Sequence, residues 1–123
     1  MTSRKDIIRE YKERKKPSGI FQVRNTANGK VYIGGSLNLD GVLNGQKFRL
    51  FTGSHRNSAL QADWKIFGEA AFEFEILEVI AETDDPNFDL KDELTLLEQI
   101  WLEKLEPYGD RGYNIPGEKI RQV

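Results

Sequence analysis

No cysteine and only one histidine, His55, occur among the 123 residues. The first absence excludes disulfides and thiolate metal sites, and the second excludes zinc centres built from histidine clusters. Long apolar runs are missing too: no stretch approaches the ~20 residues of a membrane-spanning helix. The N-terminus lacks the hydrophobic stretch of a signal peptide. Internal repeats and low-complexity tracts are also absent. With 38% apolar and 31% charged residues, the chain is expected to fold as a single soluble domain with a cytoplasmic location.

Acidic residues are scarce in the first half and basic ones in the second. Residues 1–60 hold 12 Lys/Arg against 4 Asp/Glu, and residues 61–123 hold 6 against 16, although the net charge is only −2. Such polarity suits an electropositive face that meets phosphate. It also suits two halves that pair with each other across the fold.

The pattern predicts an α+β domain. Residues 1–17 form a basic helical arm, 18–116 the folded domain and 117–123 a tail. The arm, with Arg4, Lys5, Arg9, Lys12, Arg14, Lys15 and Lys16, is expected to meet a phosphate backbone without sequence preference. Two strands follow, near 19–25 and 30–35, with Asn28-Gly29 as a two-residue hairpin turn. That register puts Phe21, Val23, Asn25 and Tyr32 on one face and Ile20 and Ile33 on the other. A weak helix diluted by Gly41 and Gly45 comes next, then a better one carrying Leu60, Trp64 and Phe67 and stopped at Gly68. The alternation of Phe72, Phe74 and Ile76 with Glu73 and Glu75 reads as a half-buried strand. The last helix, closed by Pro107, carries a stripe of Leu94, Leu97, Trp101 and Leu105.

Two features of this layout point to chemistry. The glycines at 34 and 35 sit in a strand, where they weaken pairing but permit close approach of another backbone or a ligand. Glu98 borders the apolar stripe of the last helix, where a carboxylate is costly unless a cation, metal or donor satisfies it. Core packing around the glycines and an edge glutamate reaching water are the plain structural readings.

Four ordered blocks then carry a resemblance. "GIF" at 19–21 and "YIG" at 32–34 flank the hairpin, and "NL" at 38–39 follows. Beyond them lie "GSHRNSALQADWKIFGEAAFEFEILE" at 53–78 and "LEQIWLEKLEPYGDRGYN" at 97–114. Together these resemble the GIY-YIG nuclease family. The resemblance implies a small three-stranded antiparallel sheet flanked by helices, in β-β-α-α-β-α order. It also implies divalent-metal-dependent cleavage of DNA phosphodiester bonds, with Mg²⁺ or Mn²⁺ as cofactor, DNA as partner and a homodimer as a candidate assembly.

Carried over by position, Tyr32 would help activate the attacking water and Glu98 would ligate the metal. His55 would contact phosphate or carry a proton. Asn114 would orient the site or contact substrate, with Phe21 and Gly34 lining the substrate side. Two departures stand out: the first motif ends in Phe21 rather than tyrosine, and Val42 occupies the position of the family's arginine. Gln46 stands where a histidine often occurs, and Arg49 and Lys47 are the nearby cations that could compensate. Two functions follow. One is a metal-dependent endonuclease, for which Tyr32, Glu98 and a basic side chain should converge on one cleft. The other is a nucleic-acid-binding domain on the same fold with impaired catalysis.

Overall fold

The computed structural model describes residues 16–122, so the expected basic arm lies almost wholly outside the described residues. Strands β1 (Gly19–Asn25) and β2 (Val31–Ser36) lead into helices α1 (Leu39–Thr52) and α2 (Ser58–Phe67). Strand β3 (Phe72–Val79), helix α3 (Leu90–Leu105) and a two-residue strand β4 (Arg121–Gln122) complete the fold. The sheet order is β3-β1-β2-β4, with β1 antiparallel to both neighbours and β4 parallel to β2. Three antiparallel strands are those expected. The fourth corrects the reading of 117–123 as a tail.

The hairpin differs in register from the two-residue turn. Arg24 pairs with Val31 and Val23 with Tyr32, leaving a four-residue loop, Thr26–Gly29. Side chains set it: Asn25 Oδ1 accepts from Ala27 N–H at 3.0 Å and Asn28 Oδ1 from Lys30 N–H at 2.9 Å. Only Gly29 takes a positive φ, of 79°, whereas a two-residue type I′ turn needs two such residues. The slip is by two residues, so every side chain keeps its expected face.

Helix ends follow local rules. Asn38, Asn57 and Asp89 cap α1, α2 and α3 by accepting backbone N–H groups, which removes the unmet donors of a first turn. Gly41, a poor helix residue, makes room for its cap: a Cβ there would lie 2.5 Å from Asn38 Nδ2.

Two apolar layers sandwich the sheet. On one face Phe21 and Val23 pack with Leu39, Val42, Leu50 and Leu60 of α1 and α2. On the other, Ile20 and Ile33 pack with Leu94 and Leu97 of α3 and with Ile120. A register shift between Ile20 and Phe21 leaves Leu77 of β3 outside the pairing, and it packs into this second layer. Arg24 pairs with Glu73 and Glu75 across the β1–β3 ladder, so the two oppositely charged halves do meet there.

Candidate active site

Tyr32 is the second residue of β2, on the α1 side, and its ring meets His55 edge-on with centroids 5.5 Å apart. His55 is buried just ahead of α2. Its Nδ1 accepts the Asn57 N–H at 3.0 Å, so the proton of the neutral ring lies on Nε2, which donates to Gln46 Oε1 at 2.5 Å. Gln46 Nε2 donates to Gln122 Oε1 at 2.6 Å, and Gln122 Nε2 donates to Tyr32 Oη at 2.8 Å. A directed chain of donors thus runs from His55 through two amides and ends on the tyrosine oxygen.

The electrostatics match this picture. Burial and the charge of Arg49 push His55 down to about 4, which keeps the ring neutral and its tautomer fixed at neutral pH. Burial holds the Tyr32 phenol above its ordinary range, while the Gln122 donor and the charges of Arg56 and Arg49 pull the other way. Arg49 and Arg56 line the small cleft over Tyr32 together with Lys119 and Arg121. Arg56, next to His55 in "SHRN", is a cation that the motif comparison passes over.

Glu98 sits on the opposite side of β2. Its carboxylate lies over Gly35, where a Cβ would come within 2.8 Å of Oε2. Burial raises its pKa, and Arg121 partly offsets this through a hydrogen bond to Oε1 at 2.9 Å. Tyr32 and Glu98 therefore do not share one open cleft as expected. Glu118, Lys119 and Arg121 line both recesses and stand between them.

The other expected site residues are placed as follows. Phe21 is fully buried in the core, and Gly34 lies under its ring, where a Cβ would be 2.5 Å from Phe21 Cζ. Neither presents a surface to substrate, which corrects their assignment to the substrate side: the first glycine of the pair accommodates an aromatic ring. Lys47 Nζ lies 5.2 Å from the centre of the Phe74 ring, in a separate groove lined with Phe51 and Trp64. It is not beside Tyr32, because the consecutive residues 46 and 47 of α1 point to different faces of the helix. Arg49 is beside Tyr32. Asn114 mimics a strand: its Oδ1 accepts from Ile33 N–H and its Nδ2 donates to Ile33 C=O, both at 2.9 Å.

Val42, at the position of the family's arginine, is sealed in the core with 2% exposure, and Gln46 one turn later links His55 to Gln122. Sequence reasoning missed Arg121 and Gln122 altogether. No periodic signal could have found them, since two residues carry no period.

The sequence matches no family model and no curated protein. Two solved structures do resemble the chain. A single-residue variant of the catalytic domain of intron endonuclease I-TevI is 30% identical, with a TM-score of 0.67 over 85% of this chain and 98% of that one. The catalytic domain of homing endonuclease I-TevI is 32% identical, with a TM-score of 0.64 over 80% of this chain and 97% of that one.

Proposed function

Because the chain belongs to the GIY-YIG nuclease family, we propose that it is a metal-dependent endonuclease that hydrolyses DNA phosphodiester bonds beside Tyr32. The observation that carries this reading is the donor chain ending on Tyr32 Oη, flanked by Arg49 and Arg56. A tyrosine that served packing alone would need neither.

In this reading Tyr32 first loses its own proton to solvent and then, as the phenolate, orients the attacking water and accepts its proton. A free phenol is far too weakly acidic at neutral pH, and burial holds Tyr32 above even that range, so the charges of Arg49 and Arg56 must lower it once Gln122 has given way to the attacking water. Arg49 and Arg56 hold the substrate phosphate, the task assigned elsewhere in the family to the position of Val42. His55, with both ring nitrogens engaged, holds Gln46 in place rather than shuttling protons.

Among the described residues no group of three acidic or histidine side chains is arranged to hold a metal. Glu98 offers a single carboxylate. That donor set fits Mg²⁺ or Mn²⁺, since Mg²⁺ commonly keeps several waters and takes one or two carboxylates plus substrate phosphate. Bound there, the metal would supply charge stabilisation at the phosphorus centre and the leaving oxygen.

A second reading, a nucleic-acid-binding domain with impaired cleavage, is favoured by the burial of Val42 and by the Arg121 cap on Glu98. Incubation with supercoiled and single-stranded DNA, in Mg²⁺, Mn²⁺ or EDTA, separates the two. The endonuclease reading expects metal-dependent nicking that Glu98→Gln and Tyr32→Phe each lower by at least ~10²-fold, a few kcal/mol of transition-state stabilisation. DNA binding without nicking under every condition supports the second reading.

A further inference from the structure

We propose that residues 118–122 form an intramolecular strap that closes the candidate active site and must leave β2 before DNA can seat. The inference rests on the nuclease reading for its location, though not for its test.

Strand β4 takes the open edge of β2. Gly35 N–H donates to Ile120 C=O at 3.1 Å, and Arg121 and Gln122 pair in parallel with Gly35 and Ser36. Consecutive strand residues point to opposite faces, and this alternation sends each side chain to one candidate catalytic group. Arg121 reaches Glu98 on the α3 face at 2.9 Å, with further bonds to Thr95 Oγ1 at 2.5 Å and Lys91 C=O at 3.1 Å. Gln122 reaches Tyr32 on the α1 face at 2.8 Å. Two adjacent residues thus occupy both halves of the site, and the strap's backbone fills the ground between them.

The hold is built to be released. Ile120 is the strap's buried apolar anchor, while Glu118, Lys119 and Arg121 are exposed. Gly117, at a φ of 81°, follows Pro116 in the turn that launches the strap, and two residues of parallel ladder add little. In the Arg121–Glu98 pair 35% of the arginine side chain is exposed against 10% of the glutamate's, so the arginine is reachable from solvent, while the buried carboxylate needs a cation in its place when it leaves. A divalent cation or an incoming phosphate competes directly for its two partners. The opposite role, Arg121 completing the site as a substitute for the arginine missing at Val42, makes the reverse prediction.

The test compares the full chain with Arg121→Ala/Gln122→Ala, which keeps the Ile120 anchor, and with a chain ended after Gly117. Binding of a fluorescein-labelled duplex is measured without metal, so that cleavage plays no part. The strap predicts at least a 5-fold gain in affinity for both variants, against the loss of positive charge, which by itself weakens DNA binding. It also predicts that DNA accelerates amide exchange at Gly35 in the unaltered chain. Unchanged or weaker binding by the folded double variant, or slower Gly35 exchange with DNA, overturns the strap. If no form cuts DNA in Mg²⁺ or Mn²⁺, the nuclease reading fails while the affinity gain still establishes the strap. If all forms cut at one rate with equal affinity, the strap fails and the nuclease reading stands.

Discussion

The Glu98 carboxylate occupies the space a side chain at Gly35 would fill, with Oε2 2.8 Å from an ideal Cβ, while Gly34 yields its space to the Phe21 ring at 2.5 Å. The two adjacent glycines therefore serve opposite faces of the sheet and different purposes. A methyl at Gly34 would push against a fully buried ring, and overpacking of this kind costs about 1–3 kcal/mol. A methyl at Gly35 meets the Glu98 side chain from Cγ outward, which can swing aside where a sealed ring cannot, so Gly35→Ala should cost less stability than Gly34→Ala but displace Glu98. The expected outcome is that Gly34→Ala lowers the denaturant midpoint more, while Gly35→Ala lowers metal-dependent nicking more. Equal stability losses in the two variants would contradict this division.

His55 makes stability depend on pH. Its folded value of about 4 lies below the ordinary 6.5, so on acidification the unfolded chain binds the proton first. Its contribution is complete above about pH 6.5 and is lost as pH falls towards 4, by at most about 3 kcal/mol. Glu98, whose pKa is raised by burial, works in the opposite direction: protonation relieves the cost of its buried charge. The difference between the native chain and His55→Gln isolates the histidine. Urea unfolding across that window should show a shallower pH slope for the variant, and parallel curves would rule out this role for His55.

Local signals account for what was legible in the sequence. Phe72 and Phe74 alternating with glutamates announce β3, Gly68 and Pro107 mark helix ends, and Tyr32 and Glu98 stand out through their motif neighbourhoods. Faces were legible where register was not, because a two-residue slip of the hairpin preserves alternation. The side chains of Asn25 and Asn28 decided the loop by forming bonds with their own backbone, a competition that the Asn-Gly pair alone does not reveal. Phe21 read as a site residue by its motif position, yet its burial depends on Gly34 across the ladder. β4 was illegible for the same reason: it exists through Ile120, Arg121 and Gln122 meeting partners far away in the chain.

Arg49 and Arg56 should govern backbone contact. Among the described residues neither pairs with a carboxylate, and both act on Tyr32 through their charge. Replacing both with alanine removes two phosphate partners. The slope of log affinity against log salt should then fall by about 2. Lys47→Ala, in its separate groove beside Phe74, should change the slope less. An unaltered slope in the double arginine variant would place the phosphate path elsewhere.

Asn114 supplies the last prediction, because its geometry assigns it to structure where its motif suggested substrate. Its side-chain amide exchanges two hydrogen bonds with the backbone of Ile33, both at 2.9 Å, on the residue between Tyr32 and Gly34. It does for one residue what a paired strand would do, immediately below the stretch where β4 takes over. Asn114→Ala leaves the Ile33 N–H and C=O unmet in a buried setting, at a cost of about 1–3 kcal/mol for each unsatisfied group. Asn114→Asp keeps the acceptor for the N–H but, when ionised, turns an oxygen towards the carbonyl, so it should also destabilise. Both variants should unfold at lower denaturant, with the alanine variant allowing faster amide exchange at Ile33. At temperatures where they stay folded, their DNA affinity should match that of the native chain. A variant of native stability that binds DNA more weakly would return Asn114 to the substrate.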